Sequence, residues 1–105
     1  MNSWITLLLA GLCEVWWAVG MKYTHGFTRL VPSVVTIIGM IASFYFLAHA
    51  VHRLPLGVAY AIWTGIGSVG TILLSVVLFH ETLSLPQVGC LVLIIGGIMG
   101  LRLLA

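Results

Sequence analysis

Four long apolar runs, separated by short polar segments, account for nearly the whole chain. They extend over about residues 4–21, 33–51, 57–79 and 87–104. Each is close to the roughly 20 residues that an α-helix needs to cross the hydrocarbon core of a bilayer. The connectors "KYTHGFTRLVP", "HRLPL" and "HETLSLP" are too short to fold as a separate domain. The pattern therefore predicts an all-α membrane protein, with a single four-helix transmembrane domain in residues 1–105.

Composition excludes a soluble domain, because the chain is 62% hydrophobic and only 6% charged. The sequence also lacks a phosphate-binding loop and a recognisable catalytic constellation. We therefore expect neither an ATP-driven pump nor an ordinary enzyme. The lipid bilayer is the expected environment, and no nucleic acid is expected as a partner.

The cysteines and histidines give little support for a metal site. Cys13 and Cys90 fall inside predicted spans 1 and 4 without CxxC spacing, and such cysteines are most often small core residues. His49 and His52 are three residues apart but lack a third ligand. We predict neither a metal site nor a cofactor.

The basic residues are balanced between the two sides of the membrane. With four spans, Lys22 and Arg29 share one side, and Arg53 and Arg102 share the other. Orientation follows the Lys/Arg asymmetry of short loops, so this chain carries no strong instruction about which way to insert. Two copies inserted in opposite orientations can pair about an axis in the membrane plane, as inverted repeats do in larger transporters. We therefore predict an antiparallel, dual-topology homodimer.

Span 4 contains a face of small residues. Gly89, Gly96 and Gly100 are seven and then four residues apart, which places them on one side of a helix, and the last two form a GxxxG pattern. Small residues allow helix backbones to approach closely in lipid. Two interpretations stay open: a seam between two chains, or packing of span 4 inside its own bundle.

Glu14 is one of only two acidic residues and lies inside span 1. It follows Trp4 by about 15 Å of helix, close to the bilayer midplane. A charge at this depth costs several kcal/mol, so we expect Glu14 to face the bundle interior or a watery cavity. None of the four spans has a lysine or arginine at that depth to neutralise Glu14, so a proton and a cation can compete for the carboxylate. The alternative is a permanently protonated carboxyl group that only holds helices together.

Candidate partners of Glu14 lie in spans 1 and 2. Trp17, at position i+3, shares its helix face, and an indole can attract a cation or hydrogen-bond a carboxylate. Trp16 points elsewhere and is interpreted as lipid-facing or packed on another helix. Ser43, near the middle of span 2, either bonds to its own i−4 carbonyl group or reaches Glu14 across the bundle.

Span 3 has one face that is half aromatic and half small, formed by Tyr60, Trp63, Thr64 and Gly67. Small residues beside aromatic rings leave room for a ligand, although an aromatic packing stripe would show the same pattern. Glycines at 65, 67 and 70 weaken the helix enough to allow a bend, so Gly65 and Gly67 are candidate gating positions.

Several segments together resemble the small multidrug resistance family across essentially the whole length. They are "CEVWWAVGMKYTHGFTR", "LPLGVAYAIWTGIG" and the glycine-rich span 4. Within the family, Trp17, Met40 and "WTGIG" are most similar to the guanidinium exporters, whereas Trp16, Arg102 and "FHETLSLP" depart from their usual pattern.

The resemblance implies a multi-pass protein of the bacterial inner (cytoplasmic) membrane that works as an antiparallel dimer. It implies that Glu14 of both chains forms one site shared by protons and a small organic cation. The residues that it implies around those glutamates are Trp17, Ser43, Tyr60 and Trp63.

Three functions remain open. The first is proton-coupled export of guanidinium or small substituted guanidines, whose planar N–H groups match a carboxylate. The second is export of quaternary ammonium and lipophilic drug cations, which would depend on aromatic faces. The third is a non-transporting membrane subunit or pore, including one half of a heterodimeric pair.

Overall fold

A computed structural model describes residues 2–104 and contains four α-helices in this range. They are α1 (Ser3–Tyr23), α2 (Leu30–Ala50), α3 (Leu56–Leu78) and α4 (Leu85–Leu104). Each is long and apolar enough to cross a membrane, with a mean hydropathy between 1.6 and 2.1 over its most apolar window. The predicted all-α architecture with four membrane-spanning helices is therefore confirmed.

Two helices begin earlier than their apolar runs indicated. α2 begins at Leu30 rather than at 33, and α4 at Leu85 rather than at 87. The apolar runs predict boundaries directly after Pro32 and Pro86, but both prolines lie within the first helical turn. Proline is tolerated there because the first backbone N–H groups of a helix have no partner within the helix.

Helix α1 is the centre of the bundle. It packs against α2 and α3, whereas α4 packs against α3 and buries none of its described residues. Close approach of α1 and α3 depends on Gly11, where a Cβ atom would lie 2.6 Å from Cγ2 of Ile66. Three helices thus form a packed unit, and α4 lies at its edge.

The tightly packed core occupies one end of this unit. It brings together the first halves of α1 and α3 with the end of α2, and its buried members are Leu7, Ala10, Ala50, Ala59, Ile62 and Trp63. Many large apolar side chains elsewhere are exposed on the outer faces of the helices. In a bilayer these faces contact lipid, where exposure of apolar groups is favourable.

Aromatic and charged side chains connect the helices at both ends. At one end Lys22 Nζ lies 4.5 Å from the ring centroid of Phe79 and 3.7 Å from a carboxylate oxygen of Glu81. At the other end the Arg102 guanidinium lies 5.2 Å from the ring of Trp4. Lys22 and Arg102 therefore mark opposite ends of the bundle, as the alternating spans predict.

Candidate functional site

The carboxyl group of Glu14 lies between α1 and α3, against the backbone of Gly67. A Cβ atom at position 67 would overlap this carboxyl group. Oε1 of Glu14 is buried and has no hydrogen-bond partner in the described part of the chain. Gly67 is therefore required here for close approach, because any larger residue would displace Glu14.

An open groove of about 340 Å³ runs along α1 and α3 beside this carboxyl group. Its lining is a mixture of small, hydroxyl and apolar side chains: Glu14, Ala18, Gly67, Ser68, Thr71 and Ile72. The two hydroxyl groups were not singled out from the sequence as site residues. Glu14 thus faces a partly polar groove. This is expected, because an ionisable side chain in contact with lipid hydrocarbon is energetically costly.

Trp17 lies one turn after Glu14 on α1 and does not hydrogen-bond to it. Its Nε1 atom is buried without a partner in the described part of the chain, and its ring centroid is 6.3 Å from that of Phe44 on α2. The indole N–H is therefore an unpaired donor on the helix turn that follows Glu14. Trp16 is 42% exposed and its ring lies over Gly39, so it both faces outward and packs on α2.

Four aromatic rings form a continuous series across α1, α2 and α3. From Trp17 the series passes to Phe44, then over 5.9 Å to Trp63, and over 5.5 Å to Tyr60. The predicted residues Trp17, Tyr60 and Trp63 are thus brought together, and Phe44 connects them. Sequence reasoning missed Phe44, although its position directly after Ser43 was a signal.

Ser43 and Trp63 meet at the carbonyl group of Ala10. The Ser43 hydroxyl donates to the Ala10 carbonyl oxygen at 2.8 Å. Trp63 Nε1 lies 3.0 Å from Ser43 Oγ and 3.2 Å from the same carbonyl oxygen. Both alternatives predicted for Ser43 are therefore wrong, since it bonds neither its own helix nor Glu14. The reason is that the small Ala10 lets α2 and α3 reach the α1 backbone.

This cluster supports Glu14 through the backbone. In an α-helix the carbonyl group of residue 10 also accepts the N–H of residue 14, so the bonds from α2 and α3 fix the turn of α1 that ends at Glu14. Ser43 is fully buried and Trp63 is 6% exposed. Within one chain neither side chain hydrogen-bonds to the Glu14 carboxyl group, and both bond to the backbone one turn before it.

Thr64 adds a third unpartnered polar group. Its Oγ1 atom is buried without a hydrogen-bond partner, like Glu14 Oε1 and Trp17 Nε1. It lies one turn before Gly67 on the face predicted for span 3. Helix α3 is continuous through Gly65 and Gly67, and Gly65 faces Ile98 of α4. A bend or gate at these glycines remains a prediction.

The small-residue face of α4 is open. A Cβ atom added at Gly89, Gly96 or Gly100 would have no neighbour within 4 Å. Packing inside the bundle of the same chain, one of the two interpretations, is therefore wrong for these positions. Cys90 is also exposed on α4, so its interpretation as a core residue is wrong, whereas Cys13 is half-buried.

Charge around the site is sparse. Over residues 2–104 the only ion pair is that of Lys22 with Glu81, at the end of the bundle. In the same range no cluster of histidine, cysteine and acidic residues is suited to hold a metal ion. The fold and these residues define a multi-pass membrane protein with an unpaired carboxyl group inside its helical bundle.

The chain belongs to the Small Multidrug Resistance protein family, whose family model matches residues 2–94. It is 54% identical to guanidinium exporters of Yersinia pseudotuberculosis and Proteus vulgaris, over 96% of this chain and 97% of each relative. It is also 54% identical to the guanidinium exporter of Salmonella typhimurium, over 96% of both chains. The family resemblance predicted from the sequence is confirmed.

We predict that Ser43→Ala destabilises the three-helix unit. The change leaves the Ala10 carbonyl and the Trp63 N–H with one partner fewer in a buried setting, which costs about 1–3 kcal/mol. The measurement is reversible unfolding in detergent micelles. Ser33→Ala is the matched control, because the Ser33 hydroxyl bonds to the Arg29 carbonyl of its own helix end. Equal stability of the two variants would contradict a role for Ser43 in joining helices.

Proposed function

We propose that this protein is a proton-coupled antiporter that exports guanidinium or small substituted guanidinium cations across the cytoplasmic membrane. Glu14 of two antiparallel copies forms the shared site for the proton and the cation. The observation that carries the proposal is the buried, unpartnered Oε1 atom of Glu14 in a membrane-spanning helix. The 54% identity to guanidinium exporters supports the choice of cargo.

The unpartnered polar atoms suit a flat cation that is rich in N–H donors. Guanidinium donates but does not accept hydrogen bonds, and it binds a carboxylate in a bidentate manner. Glu14 supplies the carboxylate, and the free Thr64 hydroxyl supplies a further acceptor. The Trp17 N–H group can only donate, so in this proposal it is directed to the carboxylate, and only the face of the Trp17 ring contacts the cation.

The aromatic series adds a surface for the face of the cation. Aromatic rings attract cations within about 6 Å of their centroids. Tyr60 is 55% exposed, so its ring remains available, whereas Trp63 is buried and its N–H group is already bonded. Tyr60 and Trp17 are therefore the rings that contact the cargo in this proposal, and Trp63 and Ser43 hold the site in shape.

Exchange follows from competition at one carboxyl group. A protonated Glu14 has no charge to attract a cation, and the positive charge of a bound cation opposes the addition of a proton to the same carboxylate. Binding of one ligand therefore weakens binding of the other, which couples their movements. Export also requires that the site opens to each side in turn, as in transporters with inverted repeats.

In an inverted pair the second chain supplies a second Glu14. Its opposite orientation allows the site to open to either side of the membrane. Helix α4 has an open face of glycines at 89, 96 and 100, which suits close approach of a second α4. The balanced ends of the chain, with Lys22 and Arg29 against Arg53 and Arg102, favour neither orientation. We propose this α4 face as the dimer seam.

Glu14→Gln should abolish guanidinium export driven by a pH gradient, because an amide neither exchanges a proton nor carries a charge. Glu14→Asp should keep weaker transport with a shifted pH optimum. The measurement is guanidinium accumulation in proteoliposomes with an imposed pH gradient. Accumulation against its gradient by the Gln variant would exclude a shared site.

The choice of cargo is tested by comparing guanidinium with a tetraalkylammonium ion on wild type, Trp17→Ala and Trp16→Ala. Trp17→Ala removes the donor one turn after Glu14 and should weaken guanidinium transport about 10- to 100-fold, the effect of about 1.5–3 kcal/mol. Tetraalkylammonium lacks N–H donors and should be affected less. Trp16→Ala is the matched control, since its ring faces away from the groove.

Two outcomes decide the cargo question. Wild-type protein that carries tetraalkylammonium and ignores guanidinium would replace the proposed cargo by drug-like cations. Equal losses of guanidinium transport in Trp17→Ala and Trp16→Ala would show that the indole N–H of Trp17 has no specific role in binding guanidinium.

Assembly is tested by fixing the orientation of the chain. Two lysines added beside Arg53 should bias insertion to one orientation, and this variant alone should be inactive because it has no inverted partner. Co-expression with a chain biased the opposite way should restore export. Full activity of one orientation-locked chain would exclude the antiparallel dimer.

A further inference from the structure

The four serine and threonine residues of α3 lie on one face of the helix. They are Thr64, Ser68, Thr71 and Ser75, at spacings of four, three and four residues. This spacing follows the 3.6-residue period, so the hydroxyl groups form a line about 16 Å long at 1.5 Å per residue. The line begins at the depth of Glu14 and ends near the surface of the bundle.

Two grooves connect this line to both acidic residues of the chain. The first contains Glu14, Ser68 and Thr71. The second, of about 300 Å³ between α3 and α4, contains Thr71, Ser75 and Glu81. Thr71 and Ile72 line both grooves, so the Thr71 hydroxyl is the polar group at the place where they meet. At the outer end the Glu81 backbone N–H reaches the Ser75 carbonyl oxygen at 3.4 Å.

At the opposite end of the bundle a groove of about 530 Å³ is lined by Ser3, Thr6, Tyr45, Phe46, His49 and Arg53, but Glu14 is not part of its lining. There Leu7, Ile62 and Trp63 are buried in the apolar core, and Ser43 is tied to the Ala10 carbonyl. A polar connection from Glu14 to the surface within one chain thus leads toward Glu81.

The usual role of a hydroxyl group in a membrane helix is a bond to its own backbone. Ser68 makes such a bond, because its Oγ donates to the Thr64 carbonyl oxygen at 2.8 Å. A hydroxyl oxygen that donates in this way can still accept two hydrogen bonds. Each groove also has room for several water molecules, at about 30 Å³ per water.

We propose that Ser68, Thr71 and Ser75, together with water in the two grooves, form the route by which protons move between Glu14 and the membrane surface at Glu81. This inference rests on the proposed antiport function. In the inward direction a hydronium ion gives up its proton at the Glu81 end. Each water or hydroxyl oxygen on the route accepts one proton and releases another, and the Glu14 carboxylate becomes a carboxyl group.

The groups that face the outer end of the route come from three elements. Lys22 of α1 pairs with Glu81 at 3.7 Å, and Gln87 and Cys90 of α4 line the same groove. The pair with Lys22 holds the Glu81 side chain beside the entrance. In an inverted dimer the second copy directs its route to the other side of the membrane, so each side has one route.

The test is the rate at which guanidinium displaces protons from detergent-solubilised full-length protein, followed in a stopped-flow instrument with a pH dye. Thr71→Val keeps the shape of the side chain and removes the hydroxyl group at the junction of the grooves. It should slow proton release about tenfold, while the number of protons released at saturating guanidinium stays the same. Ser68→Ala should act in the same direction.

Two controls separate the hydroxyl group from its surroundings. Thr71→Ser keeps the hydroxyl and should release protons at the wild-type rate. Thr36→Val makes the same substitution in α2, away from the grooves, and should also behave as wild type.

The outcomes distinguish this inference from the proposed function. Wild-type protein that releases no protons on addition of guanidinium contradicts the antiport proposal, and the route falls with it. Normal release in wild type with an equal rate in Thr71→Val and Ser68→Ala overturns only the route. A slow Thr71→Ser variant, or a loss of released protons in Thr71→Val, would also overturn it, because the role of Thr71 would then be packing.

Discussion

The accommodation of one carboxyl group inside an apolar bundle is the constraint on which this structure depends. Glu14 lies in a membrane-spanning helix, and one of its oxygen atoms is buried without a partner. Such a group is costly in hydrocarbon, so the surrounding helices must give it space and hold it in place. Gly67 gives the space, because it has no side chain to meet the carboxyl group.

Hydrogen bonds to the α1 backbone one turn before Glu14 fix the part of the helix that carries it. Ser43 and Trp63 both reach the carbonyl oxygen of Ala10, and a polar bond at this depth is expensive to break because no water can replace it. These bonds unite α1, α2 and α3 into one unit. Helix α4 is outside it, packs mainly on α3 and leaves its glycine face open, which suits a role in association with a second chain.

The two halves of the bundle differ in character. Toward the start of α1 a buried apolar core packs the helices, and the polar groove at that end does not include Glu14. Toward the other end, grooves lined by hydroxyl groups lead from Glu14 toward Lys22 and Glu81. In the described part of a single chain, the groove beside the central carboxyl group therefore extends toward one side. In the proposed inverted pair, the two copies would direct their hydroxyl-lined grooves to opposite sides of the membrane, so each side would have one.

The sequence by itself determined the four spans and the family, because hydrocarbon tolerates only long apolar helices, and it singled out Glu14 as the candidate site because a rare acidic residue stands out against them. It also singled out Trp17, Tyr60 and Trp63, which the fold joins in one aromatic series. Only the tertiary structure decided which neighbour each face meets. The contact of Ser43 with Ala10, the place of Phe44 between two tryptophans and the fit of Gly67 to Glu14 all depend on how closely helices cross. That distance depends on small residues of both helices, so the periodicity of a single helix cannot predict it.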